Sequence, residues 1–348
     1  MSRQLALDTI RLKPVRQIAH TDYSLNYHEN YLRRLTGMDP DEPGALRAFY
    51  DLWAIDFNWS SNDGLHGKWS QRGRATDMGH AVYASDGGDQ RIASASPFKE
   101  PEEVWAFDAV KEYGLPDFDA QVRAYEALVQ EARTEFPDQL TTGGYYKTLV
   151  SGAIQAFGWD MFLTALSEPA RMEPVLDSLY RFSRYHMLAW ARTSAEVIIQ
   201  HDDFVWTEGG FMNPDLYRRF IIPRYAELFR LLKAAGKTVL FCSDGNFMEY
   251  AEDVVQAGAD GLIFESFNDF GWMAERFGQS HCLIGSFVDC RELTFGTWDQ
   301  VKADIDRSLA TARQCKGVIF CTGNHLPGNI PEAMMEKYIA HFRAHRDR

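Results

Sequence analysis

Cys242 and Asp244 stand two residues apart at the end of the apolar run KTVLFC (237–242). Residues i and i+2 of a strand point to the same side, so both side chains can face one surface. A thiolate and a carboxylate on one face, joined by an imidazole from a distant strand, make an open three-ligand site. It leaves a fourth position for substrate, as catalytic zinc does. His325, in the loop CTGNHLPG (321–328), is the available imidazole. Strand ends that only pack also carry such pairs, and loop histidines often just satisfy backbone carbonyls, so spacing alone leaves both readings open. Cys321 sits earlier in its run and reads as core, and Cys282 and Cys315 flank strands and read as packing.

A second group is His201, Asp202 and Asp203, with Glu208 a few residues on. Close carboxylates push each other's pKa values apart, which suits general acid–base work. The same acids would equally suit a solvated or helix-capping loop. Glu265 ends another apolar run and is either a substrate contact or half of a buried ion pair. Asn246 and Asn324 lie beside these rim residues and are the candidates for cofactor contact.

The elements that must position these groups are legible from about Leu140 onward. Short β-branched runs at 195–200, 237–242, 260–266, 282–287 and 317–321 read as strands buried on both faces. Helices separate them. Asn213-Pro214 is a strong start, Gly236 a stop, and Pro223 predicts a kink between them. Further helices are predicted at 247–256, 298–313 and 331–345. Repeated strand–helix alternation implies parallel strands, and no G-x-G-x-x-G or Walker-type loop favours an open doubly wound sheet. The expectation is one α/β domain, a (β/α)8 barrel over 1–348, with an irregular N-terminal extension (about 1–48) and a surface insertion (about 57–103). Catalytic groups of such barrels sit at the C-terminal strand ends, where all the candidates above fall.

With 348 residues, 45% hydrophobic and rich in aromatics, the chain can fill a large core. A net charge of −13 and no basic stripe argue against nucleic acid. No apolar run approaches the ~20 residues of a membrane span, and the first residues lack a secretory signal's apolar stretch. Five cysteines clustered in the last third read as reduced thiols in the cytoplasm rather than a disulfide framework. The aromatic stretches 49–59 and 143–152 either line a flat apolar ligand or fill the core.

The stretch from about Ala195 to His345 resembles the uroporphyrinogen decarboxylase superfamily, and more closely its corrinoid-linked methyltransferase branch. The resemblance is carried by DDFVWTEGGFMNPDLYRRFIIPRY (202–225), LFCSDGN (240–246), AGADGLIFE (257–265), LIGSFVD (283–289) and GNHLPGNIPEAM (323–334). It weakens over the first ~140 residues. It implies a (β/α)8 barrel. In the methyltransferase branch a His-x-Cys-Gly or His-x-Asp-Gly motif and a late Cys or His bind zinc, which carries over to Cys242, Asp244 and His325. Cys242 stands where His is usual. The decarboxylase branch holds its acidic porphyrin with an N-terminal M-R-Q-A-G-R motif, and Tyr31-Leu32-Arg33-Arg34-Leu35 lacks that pattern.

The resemblance implies methyl transfer between a corrinoid on a partner protein and a small donor or acceptor such as a thiol or tetrahydrofolate, assisted by zinc. Asp202, Asp203 and Glu208 would orient a cationic substrate or relay its proton. The chain has no corrinoid-binding Asp-x-His-x-x-Gly motif of its own, so the corrinoid would come from the partner or from solution. A metal-independent decarboxylase and a non-catalytic binding subunit are the alternatives, and a homodimer is compatible with the sequence.

Overall fold

The computed structural model describes residues 2–61, 69–78, 95–323 and 325–348, together with the backbone of 81–83 and 89–91. Eight short strands form the centre: β1 (Ala19–His20), β2 (Phe57–Asn58), β3 (Leu140–Thr141 and Gly143–Tyr146), β4 (Val197–His201), β5 (Thr238–Ser243), β6 (Gly261–Phe264), β7 (Cys282–Ile284) and β8 (Val318–Phe320). From the second half of β3 to β8 and on to β1 they pair in parallel, in chain order. β2 pairs in parallel with the first half of β3. The Asp56 N–H donates to the His20 carbonyl and joins β2 to β1, which closes the ring. The predicted (β/α)8 barrel is the observed fold, and β4 to β8 fall within one or two residues of the predicted runs at most starts.

Two apolar layers hold it. Every second strand residue points inward, and Ala19, Phe57, Leu140, Val197, Ile199, Leu240, Cys242, Ile263, Ile284, Ile319 and Cys321 meet inside the barrel. The helix Arg3–Ile10 closes the lower end by adding Ala6, Leu7 and Ile10 to that cluster. The alternate residues pack outward under the helices in a larger cluster that includes Tyr145, Ile198, Val239, Phe241, Leu283 and Phe320. Burial on both faces explains why the strands read as continuous apolar runs.

The stretch expected as an irregular N-terminal extension contains three helices (Arg3–Ile10, Glu29–Thr36, Ala45–Leu52) and the first barrel strand. Two residues of strand are too short to show period-two alternation. β2 lies at the start of the expected surface insertion, whose Trp69 and Phe98 are buried, while much of its middle is outside the described residues. The helix begun by Asn213 has its side-chain oxygen accepting from the Asp215 N–H, as predicted. Its irregularity falls one turn before Pro223: Tyr217–Ile221 forms a π turn, and regular helix resumes over Ile222–Ala234. A proline lacks the N–H for the bond four residues back, and the wider turn absorbs that loss.

Candidate functional site

The inward-facing rows of the barrel do not stop at the apolar core. On β4, Val197 and Ile199 are followed by His201 and then Asp203; on β5, Leu240 and Cys242 are followed by Asp244; on β6, Ile263 is followed by Glu265. The same period takes Phe57 to Trp59 and Ser61. At the C-terminal end these rows surround a cavity of about 230 Å³, lined by polar groups of Ser61, His201, Asp244, Glu265, Thr322 and His325. Tyr23, Trp59, Tyr146 and Phe264 supply aromatic walls, and the Cys242 and Cys321 thiols the deeper surface. Register puts Tyr146, His201, Cys242 and Ile263 on one row across four neighbouring strands.

His201 is the hub. Its Nδ1 lies 3.0 Å from Ser61 Oγ and its Nε2 3.0 Å from Asp203 Oδ1. The Tyr146 ring packs on the imidazole at 4.1 Å between centroids, and Trp59 meets it edge-on at 6.3 Å. Tyr23 stacks on Trp59 at 5.0 Å. Asp203 also accepts from the Tyr146 hydroxyl at 2.6 Å and from the Asp244 backbone N–H at 3.0 Å. Glu265 accepts from the Gly245 N–H, which ties β6 to the turn after β5.

These contacts divide the two neighbouring carboxyls. Burial opposes ionisation of Asp203, but His201, Tyr146 and the Asp244 N–H outweigh it and hold its pKa below the ordinary value. Asp244 goes the other way: its side chain reaches the open cavity, but the protein crowded around it, then the nearby Asp203 and Glu265 carboxylates, push it above the carboxylate range. The Asp244 carboxylate has no hydrogen-bond donor among the described residues. Burial, then Asp244, Asp203 and Glu265, likewise push the Cys242 thiol up. The site is thus a concentration of negative potential that disfavours every further anion and favours a cation.

Ligand atoms of His201, Asp203 and Asp244 all lie within 4.8 Å of one another, the group among the described residues that can converge on a metal ion. Of the residues singled out from sequence, Cys242, Asp244, His325 and Glu265 line the cavity together, and Asp203 stands directly beside it. Cys242 is only 3% exposed and, like His325, is not in the tight three-residue group.

Others lie elsewhere. Asp202, fully buried, turns away from the cavity. It accepts from the backbone N–H groups of Leu149, Val150 and Ser151, from the Ser151 hydroxyl and from the Tyr225 hydroxyl. It thereby caps the helix Val150–Phe157. Glu208 is exposed in the turn between Trp206 and Gly209 and does not line the cavity. Asn246 also stays outside the lining, its side chain accepting from the Met248 N–H. Asn324 lies outside the described residues.

The sequence reading groups His201 with the acids and not with the ligands, and it does not single out Ser61, Trp59, Tyr146 or Tyr23 individually. The signal for His201 was the period-two row Val197, Ile199, His201, the same spacing that selected Cys242 and Asp244. Trp59 and Tyr146 belong to the aromatic stretches noted above. Ser61 and Tyr23 follow strands of two residues, where no row could be read.

Comparison with known proteins agrees with this architecture. No curated protein matches the chain. A methyltransferase from Methanosarcina mazei superimposes over 98% of this chain and 97% of its own, with a TM-score of 0.67 at 17% identity. More distant are a D-psicose 3-epimerase from Clostridium cellulolyticum H10 (13% identity, 66% and 83% covered, TM-score 0.40) and a family 2 AP endonuclease from Brucella melitensis (10% identity, 64% and 84% covered, TM-score 0.38). No helix among the described residues is long and apolar enough to cross a membrane. The family model for uroporphyrinogen decarboxylase (URO-D) matches residues 75–345, which takes in β3 to β8 and most of the cavity, and the chain belongs to that family.

Proposed function

We propose that this protein is a methyltransferase that moves a methyl group between a corrinoid, carried by a partner protein, and a small donor or acceptor, with a zinc ion assisting at the strand ends. The observation that carries the reading is the group His201, Asp203 and Asp244, with converging ligand atoms at the mouth of the barrel. Imidazole and carboxylate oxygen are competent zinc donors, and the Cys242 thiol and His325 imidazole line the same cavity as further donors. The residues therefore fit the metal. Bound there, zinc would polarise a substrate atom or hold a thiol as thiolate at neutral pH.

The chain's own residues have separable tasks. Asp203 orients His201 through Nε2 and is itself fixed by Tyr146 and the Asp244 N–H. Trp59, Tyr146 and Phe264 keep water from the reacting atoms. Glu265 holds the turn that carries Asp244. The open mouth of the barrel suits the flat face of a corrinoid presented by a partner in the cytoplasm. Decarboxylation of a polycarboxylated ring is the weaker reading, because no Lys or Arg is among the described residues that line the cavity.

The test is metal analysis of anaerobically purified protein, followed by cobalamin turnover with a panel of methyl donors and acceptors. About one zinc per chain and spectral conversion between reduced and methylated cobalamin support the reading. Turnover unaffected by complete chelation, or none with any donor in the metal-loaded protein, sinks it.

A further inference from the structure

Resting on that reading of the site, we propose that Asn268, which does not line the cavity, is a positioning residue for the metal. Its buried amide locks the turn that carries Asp244 to the strand end that carries Glu265, and so sets how tightly and in what geometry an ion is held.

The turn after β5 is gripped from both sides. Four consecutive backbone N–H groups, those of Asp244, Gly245, Asn246 and Phe247, each donate to an acceptor outside the turn. The Asp203 carboxylate and the Trp206 carbonyl take the first and third, from the segment after β4. The Glu265 carboxylate and the Asn268 side-chain oxygen take the second and fourth, from the segment after β6. The acceptors alternate between the two neighbours, and Asp244 sits at the head of the row.

Asn268 does more than accept. Its Oδ1 takes the Phe247 N–H at 3.0 Å, while its Nδ2 donates to the Gly245 carbonyl at 2.8 Å and to the Glu265 carbonyl at 3.1 Å. One planar group therefore bridges the residue after Asp244 and Glu265 itself. These three partners also fix which end of the amide is oxygen. The side chain is 1% exposed, so water does not compete for its bonds.

No other side chain of this size can make the same set. Asp has the oxygens but, when ionised, no donor; Ser has a single hydrogen; Gln carries the same amide one methylene further out. Without the amide, the Gly245 carbonyl and the Phe247 N–H lose this partner and the turn is free to shift against β6. Metal ligands must be held within about 0.5 Å of their working positions. Residues that support such ligands commonly carry about 10–100-fold in metal affinity.

Cobalt(II) tests this, because zinc has no visible spectrum and cobalt in the same ligands absorbs according to their geometry. The full chain, freed of metal, is titrated with cobalt(II) and melted thermally as wild type, Asn268→Ala, Asn268→Asp and Asp202→Ala. Both Asn268 variants are expected to bind cobalt at least about tenfold more weakly, with the visible band of the complex shifted or weakened. Asn268→Asp keeps the size and the acceptor for Phe247, which guards against a collapsed loop in Asn268→Ala. Asp202→Ala, whose bonds all lie away from the cavity, is expected to lose thermal stability while keeping the wild-type band and affinity. Wild-type band and affinity in a folded Asn268 variant overturn the proposal, as do equal losses in Asp202→Ala, which would make them a matter of stability alone. Absence of cobalt uptake by the wild type overturns the metal reading itself, and the proposal with it.

Discussion

His201 Nε2 lies 3.0 Å from Asp203 Oδ1, and the two side chains leave the same strand end two residues apart. An imidazole held by a carboxylate from its own strand has a fixed ring orientation, as in the carboxylate–histidine pairs that support metal ions. In protein loaded with zinc, His201→Ala and Asp244→Ala are therefore expected to lose most of the metal, and Asp203→Asn, which removes a carboxylate of the same group as well as the partner of His201, to weaken it by at least about 10–100-fold. Zinc analysis of these variants beside Cys242→Ala and His325→Ala decides the ligand set. Zinc kept in His201→Ala but lost in both Cys242→Ala and His325→Ala would return the site to Cys242, Asp244 and His325.

Asp202 and Asp203 are adjacent in sequence and opposite in consequence. Asp202→Ala strips the acceptor from three backbone N–H groups and two hydroxyls. Stranded buried donors of this kind cost about 2–4 kcal/mol. Denaturant titration is expected to show that loss, with zinc content unchanged. Asp203→Asn should show the reverse pattern.

Gly245 has φ +79°, and a Cβ there would come within 2.7 Å of the Trp206 backbone. Left-handed backbone at a non-glycine residue costs roughly 1–2 kcal/mol before any clash. Because Gly245 follows Asp244 and donates to Glu265, the strain falls on two lining residues. Gly245→Ala is expected to lower the melting temperature by several degrees and zinc affinity at least about tenfold. Unchanged affinity in a folded variant would show that the turn does not position Asp244.

His186 sets an acid limit on the fold. It is buried under Tyr145 with its Nδ1 2.8 Å from the Tyr125 hydroxyl, and burial, then Arg72, lower its pKa to about 3. In the unfolded chain it takes a proton near pH 6.5, in the folded chain not until about pH 3. Stability from this group is complete above pH 6.5 and falls as pH drops through that window, by up to about 1.4 kcal/mol per unit. Denaturant midpoints measured from pH 7 to pH 4 should fall less steeply in His186→Gln. Parallel profiles would remove His186 from the account.

How far the sequence speaks depends on strand length. β4 and β5 have five and six residues, enough for the alternation of Val197, Ile199, His201 and of Leu240, Cys242, Asp244 to be read. β1 and β2 have two each, and their contributions, Tyr23, Trp59 and Ser61, become visible only when the barrel closes. Asp202 misled for a related reason: among acids at a strand end, alternation sends one into the barrel and its neighbour into the wall. Glu208 and Asn246 belong to turns, where neither period applies and the backbone path decides.

Trp59, stacked on Tyr23 in the cavity wall and edge-on to His201, also makes the molecule its own light source. Indole emission responds to nearby charge and to water. The difference spectrum between wild type and Trp59→Phe isolates this fluorophore from the chain's other tryptophans. Filling of the cavity, by metal or by a small molecule, then registers as a change in colour and intensity, with no label attached.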